Sequence, residues 1–432
     1  MLFFNLVDWS RIPGKIKRLS LPLLVCLTLI SVLGSMNALA GQQVIIDGTP
    51  HIQNGSTPSQ GIEEISLREL WRAGGEEDSE IIFGLICQIR GDQEGNVYVY
   101  DAQFSHVHHY APDGELVQTL FGQGEGPGEM RRGSDLLLHP NGDLSLLASF
   151  GGKIVTVAPN GDPRPSHAIE TENGFSNLYS GLHRQGNLIL GCKESIQLDR
   201  DMASRHLSYI ASFTDDGEEI ARFAQKEREI DYLNNFTFRE SEALEDLLFN
   251  FTVGPDGRVY SFTSQNEYAI SVYNPDGSLD RIIEREFTPL PRSAKSKSRM
   301  EALVERRFRT FPFDLSIEIE DIEPTVNWLH RGLHVDDDGY LWVRHSRSGL
   351  DQKEGILLTY DLFDPSGHFV KQVAVACEGN ALYDGLFFAG ENRVIRVPGF
   401  TDAMRTHFGG GQGGFEGEAE PDAPEVICYQ IQ

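Results

Sequence analysis

Two glycine-centred turns, always in the same order and each leading into a strand-like run, recur along this chain, and they constrain its fold more than any other feature. The first copy is the clearest. Asp92-Gln93-Glu94-Gly95-Asn96 reads as a tight turn feeding Val97-Tyr98-Val99-Tyr100-Asp101, whose side chains alternate as a strand requires. Pro112-Asp113-Gly114 then makes a second turn, between a strand around Val107–Tyr110 and another over Glu115–Leu120. The pair returns as Asn141-Gly142-Asp143 with Pro159-Asn160-Gly161, and as Gln185-Gly186-Asn187 with Asp215-Asp216-Gly217. It returns again as Pro255-Asp256-Gly257 with Asn274-Pro275-Asp276-Gly277, and as Asp337-Asp338-Gly339 with Asp364-Pro365-Ser366-Gly367. A sixth copy begins at Gly390-Glu391-Asn392 but lacks its second turn, and the chain ends on one strand-like run, Glu425–Ile431.

A unit of four short strands cannot bury both of its faces alone, so such units pack around an axis, and the ring must join its last member to its first. The run Glu63–Trp71 alternates polar and apolar residues and belongs to no copy, which makes it the donor of the strand that the sixth copy lacks. The expected fold is therefore all-β: a six-bladed β-propeller over residues 62–432, its last blade closed by an N-terminal strand, with short helical insertions. A sandwich of unrelated hairpins would not repeat the same pair of turns five times over.

The first 40 residues read as a separate segment. Leu19–Leu33 is apolar, follows Arg11, Lys15, Lys17 and Arg18, and precedes Ala38-Leu39-Ala40, the small-residue pattern that a signal peptidase accepts. The run is about 15 residues, short of the roughly 20 that span a bilayer. Cys26 follows Val25, where lipoprotein processing would want a small residue. The expectation is a signal peptide over 1–40, a flexible N-terminal segment over 41–61, an exported protein, periplasmic or extracellular, and no stable membrane insertion after cleavage.

Residues 1–40 hold four basic residues and one acid, which leaves 33 Lys and Arg against 63 Asp and Glu. So acidic a chain is a poor nucleic-acid partner, because binding needs clustered cations to displace counterions. Four cysteines remain, Cys87, Cys192, Cys377 and Cys428. They are too few and too scattered for a disulfide framework and contain no CxxC pair, which leaves room for one bridge whose pairing the spacing does not choose.

These features resemble the six-bladed propellers of the NHL-repeat superfamily, and within it an exported bacterial group of largely unknown role. The likeness is strongest over Trp71-Arg72-Ala73-Gly74-Gly75, Gly95–Asp101, Tyr110-Ala111-Pro112-Asp113-Gly114 and Phe121-Gly122-Gln123-Gly124-Glu125-Gly126-Pro127-Gly128-Glu129. The resemblance implies that the last string is a crossover between blades. A phosphate loop is excluded there, since it would end in Gly-Lys-Ser/Thr before a helix, and Pro127 and Glu129 stand in its place.

Gly186 to Gly257 spans 71 residues and Gly257 to Gly339 spans 82, against 47 from Gly95 to Gly142, so insertions are expected at about 223–250 and 287–330. In the second, Met300, Leu303, Val304 and Phe308 fall at helical spacing within Ser293–Arg309. Arg292, Lys295, Lys297, Arg299, Arg306, Arg307 and Arg309 surround them, either as a solvated face against an acidic body or as a lid or docking surface for an anion. In the first, Leu244, Leu247 and Leu248 suit a packed helical turn or two. His106 and His108 share a strand face beside His109, and Asp336-Asp337-Asp338 resembles the start of a calcium loop without its distal glutamate. Both are expected to be structural, the histidines between blades and the aspartates in a turn.

No motif names a catalytic residue, a cofactor-binding residue or a metal ligand. The expected function is a binding or protein-interaction module whose ligand, a protein or a small molecule, sits at a propeller face. The alternative is a metal-dependent hydrolase or lyase resembling the gluconolactonase or peptide-amidating lyase propellers. There calcium or zinc would be held near the axis by side chains scattered over several blades, so the side chains lining the axis decide between the two.

Overall fold

The computed structural model describes residues 41–432 apart from 77–80, 173, 199–202, 232–235, 244, 311–313, 328, 330, 391 and 409–422. The signal peptide expected over 1–40 lies outside the described residues, as does Leu244.

Among the described residues, six four-stranded antiparallel units follow one another; five take their strands in chain order, and the sixth takes its fourth strand from near the start of the described chain. Blade 1 consists of Ile86–Gly91, Val97–Asp101, His106–Tyr110 and Leu116–Leu120. The first strands of the other blades are Gly133–Leu138, Asn177–Arg184, Phe251–Val253, Leu333–Val335 and Gly385–Phe388. The first strands of blades 1 and 2 pack together, as do those of 2 and 3, 3 and 4, and 4 and 5. That of blade 6 packs on blade 1, which closes a ring around one axis. The alternation read from the repeat is what fills the space between blades. Val97, Val99, Val107, Leu136, Leu144, Leu146 and Val155 lie in one buried cluster spanning blades 1 and 2, each wholly shielded from solvent. Burying a side chain of this size contributes about 1.5–3 kcal/mol.

The ring is sealed where the sequence places the seal. Strand β3 (Ile62–Gly74) lies antiparallel to Glu425–Ile431, from Leu67 opposite Ile431 to Gly74 opposite Glu425. Its first residues also pair, in parallel, with the outermost strand of blade 5, Ile62 opposite Gln372. Trp71 then stacks on Tyr110 of blade 1, with ring centroids 5.2 Å apart. One strand thus ties three blades together.

Two expectations are corrected. The segment 41–61 contains a hairpin, β1 (Gln42–Ile46) and β2 (Thr49–Asn54), and β2 adds in parallel to the outermost strand of blade 4, His51 opposite Ile282. Asn54 explains the order: its buried amide donates to Glu284 O and Gly367 O, both at 3.0 Å, and accepts from Phe369 N at 2.9 Å, bridging blades 4 and 5. The first insertion also starts later than residue 223, because the outermost strand of blade 3 continues from Glu219 to Asp231. It then pairs with the second insertion through a parallel ladder, Phe236–Arg239 against Leu315–Glu318.

Among the described residues, three α-helices occur in connections. Helix α1 (Glu245–Phe249) places Leu247 and Leu248 in the core, as packing residues. Helix α2 (Ala294–Phe308) is the predicted amphipathic one, and Ser293 caps it by accepting from Ser296 N at 3.1 Å. Helix α3 (Phe400–Phe408) lies between the second and third strands of blade 6. The string Phe121–Glu129 is a connection between blades 1 and 2, and Glu129 Oε2 occupies it by accepting from Gly126 N at 2.8 Å. All four cysteines are unpaired, so the bridge for which the sequence leaves room does not form.

Candidate functional site

A strand order of up, down, up, down gives a blade two distinct ends. The first-to-second and third-to-fourth turns share one face of the ring; the second-to-third loops and the crossovers share the other. The repeated glycine turns all fall on the first face, and both insertions and the three α-helices of the described residues on the second.

On that second face, α2 and α3 enclose a cavity of about 340 Å³ with the loops of blades 4, 5 and 6. The apolar stripe predicted for α2 is turned into it: Met300, Leu303 and Val304 line it, facing Leu290 and Leu329. Five of the basic residues around α2 are divided among three tasks. Arg292 forms a buried fork with Glu240 of the first insertion, at 2.7 and 2.8 Å, and reaches Glu323 at 3.4 Å. Lys297 pairs outward with Asp321 at 2.7 Å. Arg299 points to the Tyr383 hydroxyl at 3.1 Å and, with Lys295 and Arg307, lines the cavity.

Two more arginines reach the cavity from blades 5 and 6. Arg344 donates to Asp384 O at 3.2 Å and Ala381 O at 2.6 Å, and Arg405 of α3 pairs with Asp402 at 3.2 Å. Burial lowers the pKa of both guanidiniums, Asp384 opposing it at Arg344 and Asp402 at Arg405. A guanidinium remains charged through such a shift, and Arg344, only 2% exposed, is met by two backbone carbonyls.

His345 also lines this cavity, with Asp361 at 3.3 Å and Ser348 nearby, and invites a reading as a catalytic base. The hydrogen bonds argue otherwise. His345 Nδ1 accepts from Arg347 N at 3.2 Å, so Nε2 carries the proton towards Asp361, and no nitrogen is left to deprotonate a serine. Ser348 Oγ instead accepts from His345 N at 2.9 Å.

At the axis lies a smaller cavity of about 100 Å³, lined by residues from or beside the first strands of all six blades. Its carboxylate is the fully buried Asp135, which accepts from Gln88 at 2.7 Å and Gly181 N at 3.0 Å and pairs with Arg331 at 3.3 Å and Arg90 at 3.6 Å. Burial takes Arg90 down to about 10, against the pull of Asp135, and lowers His334, with help from Arg184 and Arg90, to about 3. One acid between two arginines is a structural knot at the centre of the ring. Among the described residues that line it, Asp135 is the one carboxylate.

The histidines singled out in the sequence are packing residues. His109 stacks on Tyr98 at 4.6 Å, His108 meets Phe83 edge-on at 5.3 Å and bonds Thr119 at 3.2 Å, and His106 lies 6.0 Å from His108. Asp336 caps its own turn, accepting from Asp338 N, Tyr340 N and Trp342 Nε1 at 2.8–3.1 Å, as the turn reading requires. Among the described residues, the grouping with metal-ligand spacing is a different one, His139, His183 and Asp215, drawn from two blades on the turn face.

No family model matches the chain, and no curated protein does. Solved structures do align with it at low identity. A protein of Bacteroides fragilis assigned to export is 11% identical over 86% of this chain and 99% of its own, with a TM-score of 0.43. Virginiamycin B lyase of Staphylococcus aureus is 13% identical over 76% and 84%, with a TM-score of 0.36. The calcium-binding protein regucalcin of Agrobacterium tumefaciens is 12% identical over 86% and 95%, with a TM-score of 0.38.

Proposed function

We propose that this chain is an exported binding module built on an NHL-type propeller, and that its ligand site is the cavity under α2. The ligand is a small organic anion with an apolar body. The observation that carries the reading is the pairing of an apolar helix face with arginines around one cavity of about 340 Å³. Pockets that bind small molecules have this size and this mixture, mostly apolar walls with a few charged groups that fix orientation. Export rests on the leader-like pattern of residues 1–40, and the strong negative charge disfavours nucleic acid as a partner. The metal-dependent hydrolase or lyase reading is weaker, because the axial carboxylate Asp135 is committed to Arg90, Arg331 and Gln88.

Calorimetric titration of the mature protein with a series of straight-chain carboxylates tests the proposal. Affinity is expected to rise with each added methylene, by about 0.8 kcal/mol where the carbon is buried. It is expected to fall tenfold or more in Arg405→Ala, and again when Leu303→Trp fills the cavity. Binding that ignores both substitutions would place the ligand elsewhere, and no binding across the series would remove the organic-anion reading.

A further inference from the structure

We infer that His139, His183 and Asp215 form a binding site for a first-row divalent metal, zinc above the others, which clips blade 2 to blade 3 on the turn face. His139 follows the first strand of blade 2, His183 lies near the end of the first strand of blade 3, and Asp215 sits in that blade's third-to-fourth turn. The chain brings them together across the seam between blades, where the two imidazoles lie with centroids 4.6 Å apart. One ligand atom from each residue falls within 4.8 Å of the others. His183 Nε2 and Asp215 Oδ1 are already 3.1 Å apart. Zinc holds nitrogen and oxygen at about 2.0–2.1 Å in a tetrahedron, so its ligand atoms lie about 3.4 Å apart. One edge is in place, and side-chain rotation closes the others.

The hydrogen bonds assign a nitrogen to each ring. His183 has only 4% of its side chain exposed and its buried Nδ1 has no partner, so Nε2 is the atom through which it acts. His139 Nε2 lies 2.7 Å from Ser145 Oγ, itself 2.7 Å from Thr156 Oγ1, which leaves Nδ1 for a metal. A ligating histidine is usually steadied by such a bond from its second nitrogen. His139 is half-buried at the seam between the blades. Its near surroundings contain Asp143, Asp215, Asp216 and His167, with Arg164 engaged by Asp143 at 3.3 Å. Asp215 is 65% exposed, which gives a metal access from solvent and leaves the fourth coordination position to water. Two imidazoles select zinc and its neighbours over calcium or magnesium, which prefer oxygen alone. This site is independent of the cavity under α2, on the other face of the ring.

The experiment takes the mature protein after chelator treatment and titrates it with zinc chloride at neutral pH, following heat and Tm. The expected result is one zinc per chain, a Tm that rises with zinc concentration, and no such response to calcium chloride. His139→Gln and Asp215→Asn, which change partly or largely exposed residues, should each weaken zinc binding at least tenfold, while His106→Gln should leave it unchanged. Binding should also weaken as pH falls and the ligands take up protons. Absence of one-to-one binding in the wild type overturns the inference. So does binding of unchanged strength in both His139→Gln and Asp215→Asn.

Discussion

Replacing Glu240 with alanine separates the stability of α2, the lid over the cavity, from that of the ring beneath it. Glu240 and Arg292 have 5% and 1% of their side chains exposed and meet in a two-bond fork, and Glu240 Oε2 also accepts from Glu320 N at 3.0 Å. Burial pulls the Arg292 pKa down, but Glu240 and Glu323 together leave it raised. Removing one partner of a buried pair costs about 3–5 kcal/mol, because the other charge is stranded. Glu323, 3.4 Å from Arg292, remains as partial compensation and puts the cost near the lower limit, about 3 kcal/mol. Arg292 precedes Ser293, the N-cap of α2, so the loss should appear as opening of that helix, which carries Lys295, Lys297, Arg299, Arg306 and Arg307 as trypsin sites. Where opening is faster than cleavage, the cleavage rate follows the open population, so Glu240→Ala should be cut within α2 about 100-fold faster than wild type. Mass spectrometry of the fragments locates the cuts, and urea unfolding reports on the ring. A cleavage rate within a few-fold of wild type would refute the argument that this pair holds the lid. A loss of global stability equal to the gain in local opening would refute the claim that the lid opens separately.

Asp361→Ala should lower stability by about 3–5 kcal/mol, seen as a shift in urea midpoint at constant slope, because it strands Arg285 and leaves Tyr268, Gln372 and His345 without their shared acceptor. Burial raises the Asp361 pKa, but His345, Arg285 and Gln372 outweigh it and hold it below the usual value. Its contribution is therefore complete above about pH 4 and lost as pH falls through the lower folded value, so the advantage of wild type over Asp361→Asn should shrink only below about pH 4. Gly114→Ala should destabilise by about 1–3 kcal/mol and alter Trp71 fluorescence, since φ there is +92° and the new methyl would sit 2.5 Å from Trp71 Cγ; an unchanged urea midpoint would remove that contact from the account of ring closure. Ellman's reagent should titrate one thiol in the native mature chain, the part-exposed Cys377, and four after denaturation. Burial pushes Cys87 and Cys192 up to about 12 and Cys428 up to about 11, and rapid reaction of any of them would contradict their burial.

Much of the fold could be read from glycine. The turns from Gly95 to Gly390 all take positive φ in the structure, and their order fixed the number of blades and the need for a closing strand. The amphipathic stripe of α2 was visible for the same reason, since Met300, Leu303 and Val304 recur at the helical period. What escaped the sequence depends on contacts between distant segments. The hairpin β1–β2 carries little local signal beyond Asp47-Gly48, and its order comes from Asn54 reaching blades 4 and 5. Helix α3 could have been found: Phe400 and Met404 are one turn apart, with Asp402 early and Arg405 late. The His139, His183 and Asp215 grouping could not, because its spacing of 44 and 32 residues means nothing until two blades are set side by side.

The two faces differ for a reason that lies in strand number. With four strands per blade, both hairpin turns that set the register of the first and last strand pairs fall on one end, and there a tight Asx-Gly turn leaves no slack. The loop between the middle strands and the crossover to the next blade fall on the other end, where added residues do not shift any ladder. Chain length therefore accumulates on that end. The second insertion and the residues between the middle strands of blade 6 both do so, and α2 and α3 are the result. Enclosed volume needs such added chain, so a cavity of about 340 Å³ belongs on the insertion face. A face made of short turns can offer no comparable enclosure, and any chemistry there must come from turn and strand-end side chains meeting across a seam. His139, His183 and Asp215 are such residues: a strand end, a strand end and a turn, brought within ligand reach of one another by the packing of blade 2 on blade 3.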